Sequence, residues 1–354
     1  MDKEYNILAT LRYDPHLAAI EAITPVKGDH LTVTYSTVND DFALDLKCNG
    51  YKWNPELIEH GKEDFTTFQN EFTELNKVTT ILQPFSNGPF QDKLITNGGY
   101  KDFLLSRFLF VRQHLNRINM ALRYFNNHKC KLTLDEFANL LIDTVTKVNR
   151  SIGEILSEVK KDEDAQSYKI RILISKEGRI VTEAHPLPSP TFTEKTRPRS
   201  CTEYFQHVLL GGFGDSQDNV WDIVKDSQPL RSTTPFTTFK TTNRSHYTFA
   251  RERMVEMISK YRYPSEDKAH CEIILYNDRN ELLEGSISNI AIKRANGWIT
   301  PPLSSGCLCG IFRYYLLQKG YIQEDNISPN EISVGDTVLI FNGVLGCIKA
   351  IVRE

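Results

Sequence analysis

The sequence predicts an α+β fold of two domains: a smaller N-terminal α/β domain and a larger, β-rich C-terminal one. Three observations carry this. The chain has 354 residues, enough for two average domains. A segment with four prolines, AHPLPSPTFTEKTRPRS at 184–200, interrupts it. Beyond that segment, short strand-like runs dominate and helical stretches are set between them. The expected division is a domain at 1–185, a linker at 186–200 and a domain at 201–354.

The elements follow in order. YNILATLRY at 5–13 reads as a strand from its aliphatic and aromatic content. Residues 15–100 mix Pro, Asn, Asp and Gly, with helical hints near 61–77, and read as an insertion of mixed structure. DFLLSRFLFV at 102–111 is a buried apolar run. Behind it Leu115, Ile118, Leu122 and Phe125 recur at helical spacing. Thr133-Leu134-Asp135-Glu136 is a capping box opening a helix through FANLLIDTVTKV. Residues 150–167 are polar and predict a loop or a frayed helix. YKIRILIS at 168–175 and RIVTEA at 179–184 flank a KEGR turn and predict a hairpin.

In the C-terminal half a helix is expected at 202–210. A second runs from about 244 to 262, with Tyr247, Ala250, Met254, Ile258 and Tyr261 as its buried stripe. CEIILYND predicts a strand, and LLEGSISNIAIKRANGWIT two more. A short helix from Ile311 to about Lys319 stops at Gly320, and DTVLIFN and LGCIKAIV are the last strands. There are no internal repeats.

Composition narrows the function. With 40% apolar and 25% charged residues the chain is an ordinary globular protein. A net charge of −3 gives no reason to expect nucleic acid or a membrane surface as partner. No uncharged apolar stretch approaches the roughly 18–20 residues of a membrane span. The N-terminus resembles neither a signal nor a transit peptide. Seven cysteines are scattered, and Cys307-Leu308-Cys309 is too tight for a zinc pair, so no metal is expected. A reducing cytosol, hence a cytoplasmic location, is the simplest reading.

Several residues could carry chemistry. Lys240, in TTFKTTNR, stands among short uncharged side chains just before a helix. A solvated lysine is the plain reading; an amine with its pKa lowered by burial is the functional one. Glu284, in LLEGSISNIAI, is either a turn residue or a buried carboxylate in need of a cation, for which a protonated pyridine nitrogen would serve. SSGCLCGIFRYYLL runs small residues into a helix, where backbone N–H groups bind phosphate readily. Arg117 lies off the apolar stripe of its helix, as a solvated arginine or a phosphate clamp. Asn342, beside Gly343 at a strand end, suits a β-turn. An electron-sink cofactor with a phosphate tail, pyridoxal phosphate, would use all these parts.

Taken together, KTTNR at 240–244, LLEGSISNIAI at 282–292, ITPPL at 299–303, GIFR at 310–313 and FNGVLGCIKA at 341–350 resemble the fold-type IV pyridoxal phosphate enzymes, the class IV aminotransferase family. HLNRI at 114–118 and LATLRYD at 8–14 look like that family's N-terminal landmarks. The resemblance implies a two-domain fold with the cofactor in the cleft between domains, and a homodimer. It implies Lys240 as the imine-forming lysine, Glu284 facing the ring nitrogen, and Arg117 with the amides of Ile311 and Phe312 on the phosphate, assisted by Asn342. Arg12 and Arg171, on strands of the smaller domain, become candidates for substrate carboxylates. One departure is that 100 residues, 14–113, separate the first strand from HLNRI, where short bacterial relatives have a brief turn.

Within the family the pattern is similar to fungal 4-amino-4-deoxychorismate lyases. That implies a carbon–oxygen lyase acting on a small molecule with two carboxylates and releasing 4-aminobenzoate and pyruvate, a step toward folate. A branched-chain or D-amino-acid aminotransferase on the same fold is the alternative.

Overall fold

The structure is a computed structural model. It describes residues 5–17, 104–105, 107–125, 131–148, 166–190, 192, 198, 201–214, 219–230, 235–260 and 270–354. The expectations for 18–100 and for most of 150–167 lie outside these residues. The described residues form two compact units, one holding Tyr5 and Leu209–Glu354, the other the residues from Asn6 to Val208.

The second unit is built on a three-stranded antiparallel sheet: β1 (Ile7–Tyr13), β2 (Tyr168–Ile174) and β3 (Ile180–Pro186), with β2 in the middle. Side chains alternate across a strand, and the register sorts the two faces. Ile7, Ala9, Leu11 and Tyr13 lie beside Ile174, Ile172, Ile170 and Tyr168, all buried. In this unit α1 (Val111–Tyr124) packs on β1, and α2 (Leu134–Val148) on β3. The Thr144 hydroxyl of α2 donates to Thr182 of β3 at 2.9 Å. The opposite face carries Thr10, Arg12, Lys169, Arg171, Glu183 and His185. The capping box forms as read: Thr133 N–H donates to Glu136 Oε2 at 2.8 Å, and Glu136 N–H to Thr133 Oγ1 at 3.2 Å. Chain 201–209 is helical, as α3 (Cys201–Tyr204) and a π-helical turn (Phe205–Leu209).

The first unit holds an eight-stranded mixed sheet. Its strands are β4 (Trp221–Lys225), β5 (Cys271–Tyr276), β6 (Leu282–Gly285), β7 (Asn289–Arg294), β8 (Gly297–Thr300), β9 (Ile322–Glu324), β10 (Thr337–Asn342) and β11 (Gly346–Arg353). Their order is β6-β5-β4-β11-β10-β7-β8-β9. That order forces curvature. In a flat sheet β6 and β7 would lie five spacings apart, about 24 Å. Ser286-Ile287-Ser288 alone joins them, and from Gly285 to Asn289 such a link spans at most about 14 Å. The sheet must therefore curl until its β6 edge reaches β7.

Curling gives the sheet an inside and an outside. Ile223, Ile274, Leu282, Ile290, Ile340 and Ile348 belong to one buried cluster. Val224, Cys271, Ile273, Leu275 and Leu283 form a second, closed by Tyr247, Ala250 and Met254 of α5 (Ser245–Lys260). The stripe read from the sequence is thus the buried face of α5, Ile258 being partly buried and Tyr261 outside the described residues. Two further helices are α4 (Pro235–Thr238) and α6 (Ile311–Gln318). The 282–300 stretch makes three strands where the sequence predicts two, because the turn after Gly285 is held by a buried carboxylate described below.

Candidate active site

Glu284 ends β6. It is 3% exposed, and the donors hydrogen-bonded to it are all neutral. The Tyr247 hydroxyl donates to Oε1, while Leu308 N–H, at 3.0 Å, and Asn289 Nδ2, at 3.3 Å, donate to Oε2. Burial pushes its carboxyl up to about 7, against these bonds and the charges of Arg244 and Lys240, which pull it down. A carboxylate in this condition gains from a cation at hydrogen-bonding distance. A protonated ring nitrogen would supply one, so the residues fit a pyridoxal phosphate ring.

Lys240 lies between α4 and α5, half-buried, and its charge reaches Glu284. The chain just before it is pinned to the loop ahead of α6, where Cys309 N–H donates to Thr238 O at 3.2 Å. The same loop supplies the Leu308 amide to Glu284. Lys240, Glu284 and the 307–310 loop therefore meet in one place. Gly310 caps α6 in extended conformation without a side-chain cap. A helix start such as this one, at Ile311 and Phe312, is where backbone N–H groups can take an anion.

The turn between β6 and β7 is fixed from several directions. Glu272 of β5 is fully buried. Its carboxylate accepts from Ser286 N–H at 3.0 Å, Ser286 Oγ at 2.6 Å, Ile287 N–H at 3.1 Å and Ser288 Oγ at 2.9 Å. Arg251 donates to Ser286 Oγ at 2.9 Å and Arg244 to Ser286 O at 2.5 Å. Asn342 reaches the same turn, its Nδ2 donating to Ile287 O at 3.1 Å. Its Oδ1 accepts from Val344 and Leu345 N–H, both at 2.9 Å, so the side chain also organises the β10–β11 turn.

The remaining candidates belong to the other unit. Arg117 sits on α1 and is 5% exposed, so the reading of a solvated helix arginine does not hold. Arg12 is buried too, with Nε and Nη2 both 2.7 Å from Asp14 Oδ2, and Asp14 also accepts from Tyr204 OH at 2.9 Å. Arg171 is more open: its side chain is 32% exposed, and Nη1 lies 2.7 Å from Glu183 Oε2, which His185 also approaches at 3.1 Å.

Sequence reasoning passed over Tyr247, Asn289, Arg244 and Glu272 as site residues. Asn289 was within reach, since it closes the LLEGSISN motif. Glu272 gave no signal, because the groups it serves lie 14 to 16 positions downstream. Among the described residues, no group of His, Cys, Asp or Glu could hold a metal ion, and no helix is long and apolar enough to cross a membrane.

Fold and sequence agree on a class: an α+β enzyme of fold type IV. Residues 103–351 match the family described as amino-transferase class IV, and the chain belongs to that family. It is 33% identical to the aminodeoxychorismate lyase of Saccharomyces cerevisiae, over 99% of this chain and 93% of that protein. A solved 4-amino-4-deoxychorismate lyase from Pseudomonas aeruginosa shares 15% identity at a TM-score of 0.41, covering 70% of this chain and 78% of that one. The branched-chain amino acid aminotransferase of Escherichia coli shares 16% at a TM-score of 0.45, covering 69% and 70%.

Proposed function

We propose that this chain is a pyridoxal-phosphate-dependent lyase that converts 4-amino-4-deoxychorismate to 4-aminobenzoate and pyruvate, a step of folate biosynthesis. The near full-length likeness to the yeast lyase carries the substrate. The convergence of Lys240 and Glu284 on the loop ahead of α6 supports the chemistry. When bound, pyridoxal phosphate supplies an electron sink for charge left at the amine-bearing carbon. Glu284 keeps the ring nitrogen protonated. Lys240 Nζ removes the proton from the amine-bearing carbon, and its ammonium then gives a proton to the methylene carbon of the departing enolpyruvyl group. The carbon–oxygen bond breaks, pyruvate leaves and the ring becomes aromatic.

The amides of Ile311 and Phe312 are our candidates for the phosphate, and Asn342 assists through the turns it holds; the family resemblance adds Arg117 as a candidate. Arg12, which also holds Asp14, and Arg171 are our candidates for the substrate carboxylates. The same reading carries a homodimer. Free thiols at Cys271, Cys307, Cys309 and Cys347 suit a reducing, cytosolic setting.

The test is release of 4-aminobenzoate from 4-amino-4-deoxychorismate without any keto acid. The wild type is expected to turn over many times, and Lys240→Ala to lose all activity together with the yellow colour of the loaded enzyme. No product, with the pyridoxamine form accumulating from an amino-acid donor, would make the chain an aminotransferase instead.

A further inference from the structure

Tyr247 is a buried ionisable group to which the chemistry above gives no task. It is 4% exposed and sits in the cluster under α5, where a phenylalanine would pack as well. Its hydroxyl is nevertheless there, and it donates to Glu284 Oε1. A buried hydroxyl costs stability unless it is bonded, so this bond is what makes a tyrosine tolerable at 247. We propose that Tyr247 is a positioning residue: its phenol holds Glu284 as an oriented carboxylate, leaving Oε2 and its two donors to present the charge to a ring nitrogen. The inference rests on the role given to Glu284 above.

Two further observations support it. Burial and the neighbouring Glu284 charge raise the phenol's own pKa well above its ordinary value, so the group stays a donor at any working pH. The Arg244 guanidinium carbon lies 4.2 Å from the centroid of the Tyr247 ring, where its charge makes the O–H a better donor. Among the described residues, four charged or titratable groups act on Glu284. Tyr247 approaches from α5, Arg244 and Lys240 from the segment before it, and Cys307 from the loop ahead of α6. Cys307 stays a neutral thiol, its pKa pushed up to about 12 by burial. Removing the phenol therefore removes a donor that the other groups cannot replace.

The experiment uses the full-length apoprotein labelled with carbon-13 at glutamate side-chain carboxyls. Glu284 is identified by the resonance that disappears in Glu284→Gln. In the wild type this carboxyl is expected to titrate near 7. In Tyr247→Phe the midpoint should rise by about one unit, roughly a tenfold gain in proton affinity, as loss of a hydrogen bond to a charged group requires. Tyr247→3,5-difluorotyrosine, a stronger donor, should move it the opposite way. In the loaded enzyme Tyr247→Phe should lower kcat with little change in KM. Equal midpoints in all three proteins would overturn the proposal. Shifted midpoints in a chain that binds no pyridoxal phosphate would support the Tyr247–Glu284 coupling and overturn the cofactor reading separately.

Discussion

Glu284 shows how one buried side chain can set the pH behaviour of an apoprotein. Its folded carboxyl binds a proton more tightly than the unfolded one, with its pKa raised from 4.5 to about 7. Between those values the folded state holds more protons, so stability falls as pH rises through the window and the loss is complete above it. The difference corresponds to about 3 kcal/mol. Urea unfolding of wild-type and Glu284→Gln apoproteins, at steps from pH 4.5 to 8, should reveal it. Relative to the variant, the wild type is expected to lose about 3 kcal/mol over that range. Parallel curves would mean that Glu284 is not a strained carboxylate. Bound pyridoxal phosphate should reverse the sign, because a protonated ring nitrogen favours the ionised acid. Lys240 and Glu284 were legible in the sequence because each stands in a short, distinctive motif. Tyr247 was legible only as an apolar stripe position, since periodicity reports burial and not which atom a hydroxyl meets.

At the scale of elements, the start of α6 is the most constrained junction of the site. A Cβ added at Gly310 would lie 1.8 Å from Asn289 Oδ1 and 2.9 Å from its Cγ. Asn289 holds the Leu308 carbonyl at 3.0 Å and Glu284 at 3.3 Å, so displacing it disturbs the carboxylate and the helix entry together. Gly310→Ala is expected to cost about 1–3 kcal/mol from overpacking and to weaken pyridoxal phosphate binding. Asn289→Ala in the same chain removes the obstructing atoms, so the double variant should be more stable than the sum of the singles predicts. Urea midpoints for the four proteins of the cycle test this; an unchanged midpoint in Gly310→Ala would show that the turn moves freely. Helices with their own signals, such as α2 with its capping box, were readable. β4 was not, because WDIVK carries two charged residues in five. Arg353, 131 positions away, neutralises its Asp222 at 2.7 Å, so the strand becomes plausible only once the fold is formed. β9 has three residues and takes its order from β8, its partner.

At the scale of the whole molecule, each unit buries its own core. The three-stranded sheet closes on α1 and α2, and the curled sheet fills with aliphatic residues and is covered by α5. Proline content suggested a boundary at 186–200, while the compact units divide at Val208 and Leu209, inside a helical turn. Composition marks where a chain is extended, whereas contacts decide which core a helical turn joins. Chains with more than one core commonly depart from two-state unfolding. Scanning calorimetry of the apoprotein should therefore give a calorimetric enthalpy above the van't Hoff value. Pyridoxal phosphate at about a hundredfold over its dissociation constant adds roughly 2.7 kcal/mol to the state that binds it. The transition that contains Lys240 and Glu284 should move upward, identified by its failure to move in Lys240→Ala. Equal enthalpies in the apoprotein would mean that the two cores melt as one cooperative body, and an unmoved transition in the wild type would remove the cofactor from the Leu209–Glu354 unit.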